Sequence, residues 1–370
     1  MASRFQRYLM PALVFESVVI GGGYATGREL VEFFLRLGPR QGLLAMTVTL
    51  VVWSSVLAVS FELARQTRSF DYRSFCGQIL GRFWFIYELL SYALLVLVMS
   101  VIGAACGSVF HDSFRLPAMA GIGTLMGVIA ILVYFGNTLV ERALSYWAIV
   151  LYALYGSLGL WCLIHYAHPV WASLQQPVED SRWFTGGLRY AGYNLAAVPG
   201  VLFCIRHLAT RREAVIAGLL CGPVAILPAA LFYLALIAFY PSIMHEAVPS
   251  IYILNQVGSR GVALLFQIAL FVTLAKTGAG LLHALNERVA TACTKAGKAM
   301  PSYMRSVISL GILLFSVFLA SRVGIIDLIA HGYGSLTWGF LLTFVLPVMT
   351  IGLWRVFVGA RFTRAAAPRH

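Results

Sequence analysis

The chain has 370 residues, of which 60% are hydrophobic and 11% charged, with a mean hydropathy of +0.84. Soluble domains carry about 25% charged residues, so the composition excludes a soluble globular protein and points to a multi-pass membrane protein with the lipid bilayer as its surroundings. The net charge of +13 would suit a nucleic-acid partner in a soluble chain. Here the basic residues sit in short loops between apolar runs, as the positive-inside rule describes, and no nucleic-acid partner is expected.

A membrane-spanning helix needs about 20 apolar residues. On that scale ten spans are predicted, within a single transmembrane domain covering 1–370. In chain order they are Tyr8–Leu37, Gly42–Phe61, Trp84–Phe110, Pro117–Phe135 and Ala143–Ile164, then Gly186–Ile205, Ala214–Tyr240, Gly261–Leu285, Ser306–Ser321 and Ile325–Val356. Two longer loops interrupt them, His165–Thr185 and Pro241–Ser259. The second holds Ile251-Tyr252-Ile253-Leu254, which reads either as a short helix across the mouth of the protein or as an ordinary interfacial loop.

Ten spans put both termini on one side. Assigned that way, eighteen of the 27 Lys and Arg residues fall on the side of the termini and six on the other (Arg36, Arg40, Arg115, Arg182, Arg260, Arg322). Arg28, Arg189 and Lys276 remain within or at the edge of spans. This bias predicts cytoplasmic termini. No cleavable leader is expected, because no small-residue cleavage site follows a short apolar core. The six cysteines are scattered without metal spacing and read as free thiols; no metal and no cofactor are expected.

The first span is unusual. It contains Gly21-Gly22-Gly23-Tyr24-Ala25-Thr26-Gly27-Arg28-Glu29. Glycine weakens a helix, and charged groups are costly at membrane depth unless they face protein or water. Backbone freed by a broken helix is tolerated only inside protein or along a cavity. The sixth span holds a second interruption, Tyr193-Asn194-Leu195-Ala196-Ala197-Val198-Pro199-Gly200, where Pro199 removes a donor and clashes with the preceding turn. One break opens each group of five spans, which predicts two inverted repeats, about 8–166 and 186–356. Interrupted segments at matching places in two halves mark a transporter binding site.

These two segments carry a resemblance. GGGYATGRELVEFF at Gly21–Phe34 and YNLA at Tyr193–Ala196 resemble the first and sixth helices of the bacterial YkvI-like membrane proteins. That family is similar to the amino acid-polyamine-organocation superfamily. The resemblance implies an all-α integral membrane protein of the LeuT type, with two inverted five-helix repeats and discontinuous helices one and six around a small-molecule substrate. It also implies a bacterial cytoplasmic membrane. Arg28 stands where that family often has Gln, and Lys276-Thr277 where it often has a Thr pair.

A pocket between broken helices offers N–H groups to a carboxylate and carbonyls to a cation, which suits an amino acid or a related amine. Expected substrate contacts are Gly21, Gly22, Gly23, Tyr24, Ala25 and Thr26 in helix one and Tyr193, Asn194 and Ala197 in helix six; Tyr92 and Ser100 of helix three read either as the facing wall or as packing against neighbouring helices. Lys276 lies about fifteen residues into the eighth span, an intramembrane cation and so a functional candidate. Thr273, Lys276, Gly280, His283 and Glu287 form one helical stripe, expected to face the bundle interior. In the sodium-coupled proteins of the implied fold, helix-eight hydroxyls and helix-one carbonyls hold sodium. With Thr273 and Thr277 beside it, the Lys276 ammonium would replace that ion, and Glu16 is its candidate partner. Transport would then be proton-coupled or uncoupled. Glu29 reads either as a gate or helix pin, or as part of a structural ion pair or an N-terminal cap of the outer half-helix.

An intramembrane enzyme is the competing class, and the motifs it would need are missing: no HExxH, no paired intramembrane aspartates, no Walker motif, and a glycine run that fails GxGxxG at Thr26. A sodium-coupled carrier, a channel or a non-transporting sensor of the same fold stay open, since fold does not fix function.

Overall fold

The computed structural model describes residues 3–135, 138–176, 182–295 and 301–358. Every regular element among them is helical. Among the described residues, six helices are long and apolar enough to cross a membrane. We call the side of the bundle where helix one begins the near side, and the other the far side.

Helix one is in pieces. A π-wound turn, Phe5–Leu9, leads into α1, Met10–Val19. The backbone leaves helical geometry at Ile20 (φ −76°, ψ 72°), re-forms as α2, Gly22–Ala25, and turns again through Thr26 and Gly27 before α3, Arg28–Phe33. Gly27 sits at φ +81°, beside the Phe232 ring. A side chain there would be strained by the left-handed conformation and would meet that ring. The glycine-rich run therefore contains two breaks instead of one.

α4, Pro39–Thr67, returns to the near side, with Pro39 in its first turn, where a missing N–H costs nothing. A short α5, Tyr72–Leu80, capped by Asp71 accepting from Ser74 N (3.0 Å), precedes α6, Trp84–Phe114. α7, Ala118–Phe135, and α8, Thr138–His165, follow, then a short α9, Ala167–Leu174. The apolar-run reading does not foresee α5 or α9, because neither approaches the length of a span.

Helix six is α10, Trp183–Asn194, a 3-10 turn Leu195–Ala197, α11, Val198–Val201, and a second 3-10 turn Leu202–Ile205. Its backbone stays right-handed throughout, since Pro199 occupies the first turn of a new helix. It is discontinuous by tightening, where helix one is discontinuous by unwinding. α12, Arg211–Ile237, opens on a capping box between Thr210 and Glu213. α13, Pro249–Val257, is a short helix on the far side, one of the two readings of that loop. α14, Arg260–Lys295, extends about three turns past the expected end. α15, Ser302–Asp327, breaks internally at Gly324 (φ 76°, ψ 162°), between the predicted ninth and tenth spans. π-wound and α-helical turns, including α16, Gly334–Phe340, continue to 358.

Small residues set the core packing. Gly218 of α12 lies on the backbone of Ala58 in α4, and Gly222 lies on Ser54, whose hydroxyl donates to Leu219 O at 2.9 Å. Helices in lipid gain little from the hydrophobic effect and depend on such close approach. α4 also carries helix six: Thr49 Oγ1 donates to Gly187 O (2.9 Å) and the fully buried Trp53 donates through Nε1 to Ala191 O (3.3 Å). The five buried cysteines and the half-buried Cys293 are free.

Candidate substrate cavity at the helix breaks

A cavity of about 470 Å³ opens where helix one breaks. Val19, Ile20 and Gly21 form one wall, Asn194 and Ala197 of helix six another, and Leu94, Leu95 and Val98 of α6 a third. α14 supplies Thr273, Lys276 and Thr277. Glu29 and Tyr193, with Tyr333 from the tenth span, form the inner end, and Arg288, Ser91 and Gly200 lie toward the near side. The volume lies within the range of small-molecule sites.

The inner end is a buried polar knot. The Tyr193 hydroxyl donates to the Glu29 carboxylate, which also accepts from the Tyr24 backbone N–H. The carboxylate folds back over Gly23, where a Cβ would strike it. The Tyr193 ring stacks on Tyr333 (4.6 Å between centroids, 15° between planes) and on Phe33 (5.6 Å, 30°). One carboxylate thus ties the far-side piece of helix one to helix six, and a tyrosine stack extends the tie to the tenth span.

The far side is covered. Arg28, completely buried, donates through Nη1 to Met244 O (2.7 Å) and Glu246 O (3.0 Å), and through Nη2 to Glu32 (2.9 Å). Thr26 O accepts from Ser250 N at the start of α13 (3.0 Å). These bonds hold the 241–257 segment over helix one. The structural ion pair of this charge cluster is Arg28–Glu32, not one made by Glu29. Glu29 is left out of it and serves the cavity.

The predicted site residues divide. Gly21, Glu29, Tyr193, Asn194, Ala197, Thr273, Lys276 and Thr277 come together at the cavity. Gly22 and Gly23 lie in α2, and Gly23 is not among the residues lining the cavity. Tyr24, Ala25 and Thr26 point elsewhere: Tyr24 packs edge-on against Tyr155, whose hydroxyl donates to Ala25 O, and Thr26 donates to Gly23 O (2.7 Å). Tyr24 and Ala25 thus fasten α2 to α8, and Thr26 closes its own turn. Tyr92 and Ser100 are off the wall. Tyr92 donates to Glu88 (2.8 Å) alongside Tyr72, and the buried Ser100 donates to Val96 O (2.8 Å) in its own helix. α6 instead faces the cavity with Ser91, Leu94, Leu95 and Val98, because successive helix residues diverge.

Two expectations about charge need correction. Glu16 forms no ion pair with Lys276. It shares the buried row of Ala12 and Phe15, while Ser17, Val18 and Val19 reach the cavity. The α14 stripe also departs from expectation. His283 and Glu287 are exposed, and Glu287 pairs with Arg305 (3.2 Å). The cavity follows the i+4 row, Lys276, Gly280, Ala284 and Arg288, which is inclined to the helix axis.

Sequence reasoning did not single out Tyr333, Ser17 or Val18, or place Arg288 at the cavity. The arginine carries a signal, a charge where an apolar helix continues; the others become visible only once the helices are packed.

No family model and no curated protein matches this sequence. Solved structures do. MhsT in complex with L-phenylalanine superposes with a TM-score of 0.58 at 15% identity, over 96% of this chain and 98% of that one. The fold is of the LeuT type. A manganese transporter of Eremococcus coleocola gives 0.55 at 13% identity, over 93% of this chain and 78% of that one. Mhp1 in its inward-facing conformation gives 0.50 at 14%, over 94% and 71%.

Proposed function

We propose that the protein is a secondary transporter of a small zwitterion or related amine, an amino acid above all, working by alternating access in a bacterial cytoplasmic membrane. The observation that carries this reading is the cavity itself. It lies at the breaks of helices one and six, extends toward the near side as far as Arg288, and is covered on the far side by the Arg28 and Ser250 contacts. Site access from one side at a time is what alternating access requires. With ten spans and both termini in the cytoplasm, this conformation faces inward, and repeats 8–166 and 186–356 would rock against each other. The L-phenylalanine complex of MhsT and the manganese transporter, both similar in fold, support a transport role.

Lys276 supports independence from sodium. Its side chain lies half-buried beside the Thr273 and Thr277 hydroxyls, which donate to Ala269 O (2.8 Å) and Thr273 O (2.9 Å). A tethered ammonium there supplies fixed positive charge where a metal would otherwise be needed. Counterflow of labelled amino acids in proteoliposomes, with sodium replaced by choline and with or without a proton gradient, tests the proposal. Saturable counterflow unaffected by sodium is expected. Uptake that requires sodium would establish the sodium-coupled alternative, and flux without counterflow a channel. Binding without flux would leave a sensor.

A further inference from the structure

We infer that Lys276 is the group that receives the substrate's carboxylate, so that the cavity selects small carboxylic acids with an apolar body, with or without an amine, over amines that lack the acid. This deepens the transporter reading and rests on it for the word substrate; the binding claim stands on the cavity alone.

The charges lining the cavity are few. Glu29 is its acid, and Lys276 and Arg288 are its bases. Glu29 is already engaged by the Tyr193 hydroxyl and the Tyr24 N–H, within the tie between helices one and six. Arg288 lies over the Tyr72 ring, 4.5 Å from its centroid, toward the near-side mouth. Lys276 has no ion pair and no side-chain hydrogen bond among the described residues. Its three donors face the cavity, and the Thr273 and Thr277 hydroxyls of its own helix are turned to backbone carbonyls and not bonded to it. An ammonium withdrawn from bulk water without an acceptor is costly, and a carboxylate arriving in the cavity answers that cost with a charge-assisted hydrogen bond.

A bare amine would place a third cation beside Lys276 and Arg288, with only an engaged carboxylate to face. An acid or a zwitterion avoids that repulsion. Beyond the lysine the wall is apolar, formed by Val18, Leu94, Leu95, Val98 and Leu281, which suits a hydrocarbon body. Arg288 at the mouth adds attraction for an anion approaching from the near side.

The test is a binding panel on the purified full-length protein in detergent, read by thermal shift and by calorimetry. Two matched series are used: leucine, 4-methylpentanoate and 3-methylbutylamine; and phenylalanine, 3-phenylpropanoate and 2-phenylethylamine. The acid and the amino acid of at least one series are expected to bind, and neither amine. Lys276→Met, of similar length and apolar, should weaken acid binding by at least about tenfold, the loss of one charge-assisted hydrogen bond. Lys276→Arg should recover part of it. Amines binding as well as the acids, unchanged acid binding by Lys276→Met, or no binding of any member at millimolar concentration would each overturn the inference. If acids bind through Lys276 and no counterflow occurs, the transporter reading fails and this assignment survives. Counterflow of an amino acid that Lys276→Met leaves intact gives the reverse.

Discussion

The Tyr193 hydroxyl donates to the Glu29 carboxylate, joining the two broken helices at the inner end of the cavity. The carboxyl accepts and the phenol donates, so the two conservative substitutions separate these roles. Tyr193→Phe keeps the ring stack on Tyr333 and removes the donor from a buried carboxylate, which costs about 1–3 kcal/mol. A melting temperature several degrees lower in detergent, with transport reduced, is expected. Glu29→Gln keeps an acceptor for Tyr193 and should melt close to the native protein. Its transport rate, measured by counterflow, should fall if the charge itself takes part in the cycle. A Tyr193→Phe protein as stable as the native one would show that the bond contributes nothing.

Gly23→Ala tests the same knot from the backbone. A Cβ at residue 23 falls on the Glu29 carboxyl, so alanine must drive that side chain off Tyr193. Alanine favours a helix over glycine by about 1 kcal/mol, and α2 itself should therefore persist. The expected outcome is a folded protein, with native helix content by circular dichroism, that has lost ligand binding. Native affinity in Gly23→Ala would mean that Glu29 can leave its place without consequence.

Much of this arrangement is legible in the sequence, and the part that is not has a physical explanation. Four glycines with a charge pair in one span, and Pro199 in another, announce broken helices because glycine and proline act locally. Lys276 announces itself by depth alone. The direction in which each residue faces is not local. Tyr24, Ala25 and Thr26 look like cavity residues until α8 is packed against α2 and Tyr155 takes the Ala25 carbonyl. Tyr333 is one tyrosine among seventeen until it stacks on Tyr193. Glu16 looks like a partner for Lys276 until the face of α1 is assigned, and that face is set by Trp53, which Phe15 meets edge-on at 5.4 Å.

Two glycines, one in a helix contact and one at the cavity, should respond oppositely to alanine. At Gly218 a Cβ would press into the Ala58 backbone of α4, whereas at Gly200 nothing lies within 4 Å. Gly218→Ala must separate two helices that depend on close contact, and overpacking of that kind costs about 1–3 kcal/mol. Gly200→Ala should be neutral or more stable by up to about 1 kcal/mol, with binding retained. Thermal unfolding of both variants in one detergent makes the comparison. Equal effects would show that the α4–α12 contact tolerates a wider spacing.

Arg28 is the most heavily bonded residue of the far-side cover. Replacing it with methionine leaves Glu32 without this buried partner and the Met244 and Glu246 carbonyls without their donor. Breaking one side of a buried ion pair costs about 3–5 kcal/mol, although Arg36, also bonded to Glu32 (2.9 Å), remains to hold that carboxylate. The loss should therefore fall toward the lower end and appear mainly as a loosened 241–257 segment. Hydrogen exchange across residues 241–257 is the direct readout. Faster exchange there in Arg28→Met, with α4 and α12 protected as in the native protein, is expected. Arg28→Lys should loosen the segment too, because one ammonium cannot reproduce the forked contacts of the guanidinium with two carbonyls and a carboxylate at once. If exchange in the segment is unchanged in both variants, α13 and its bond to Thr26 hold the cover without Arg28, and the lock lies in the backbone.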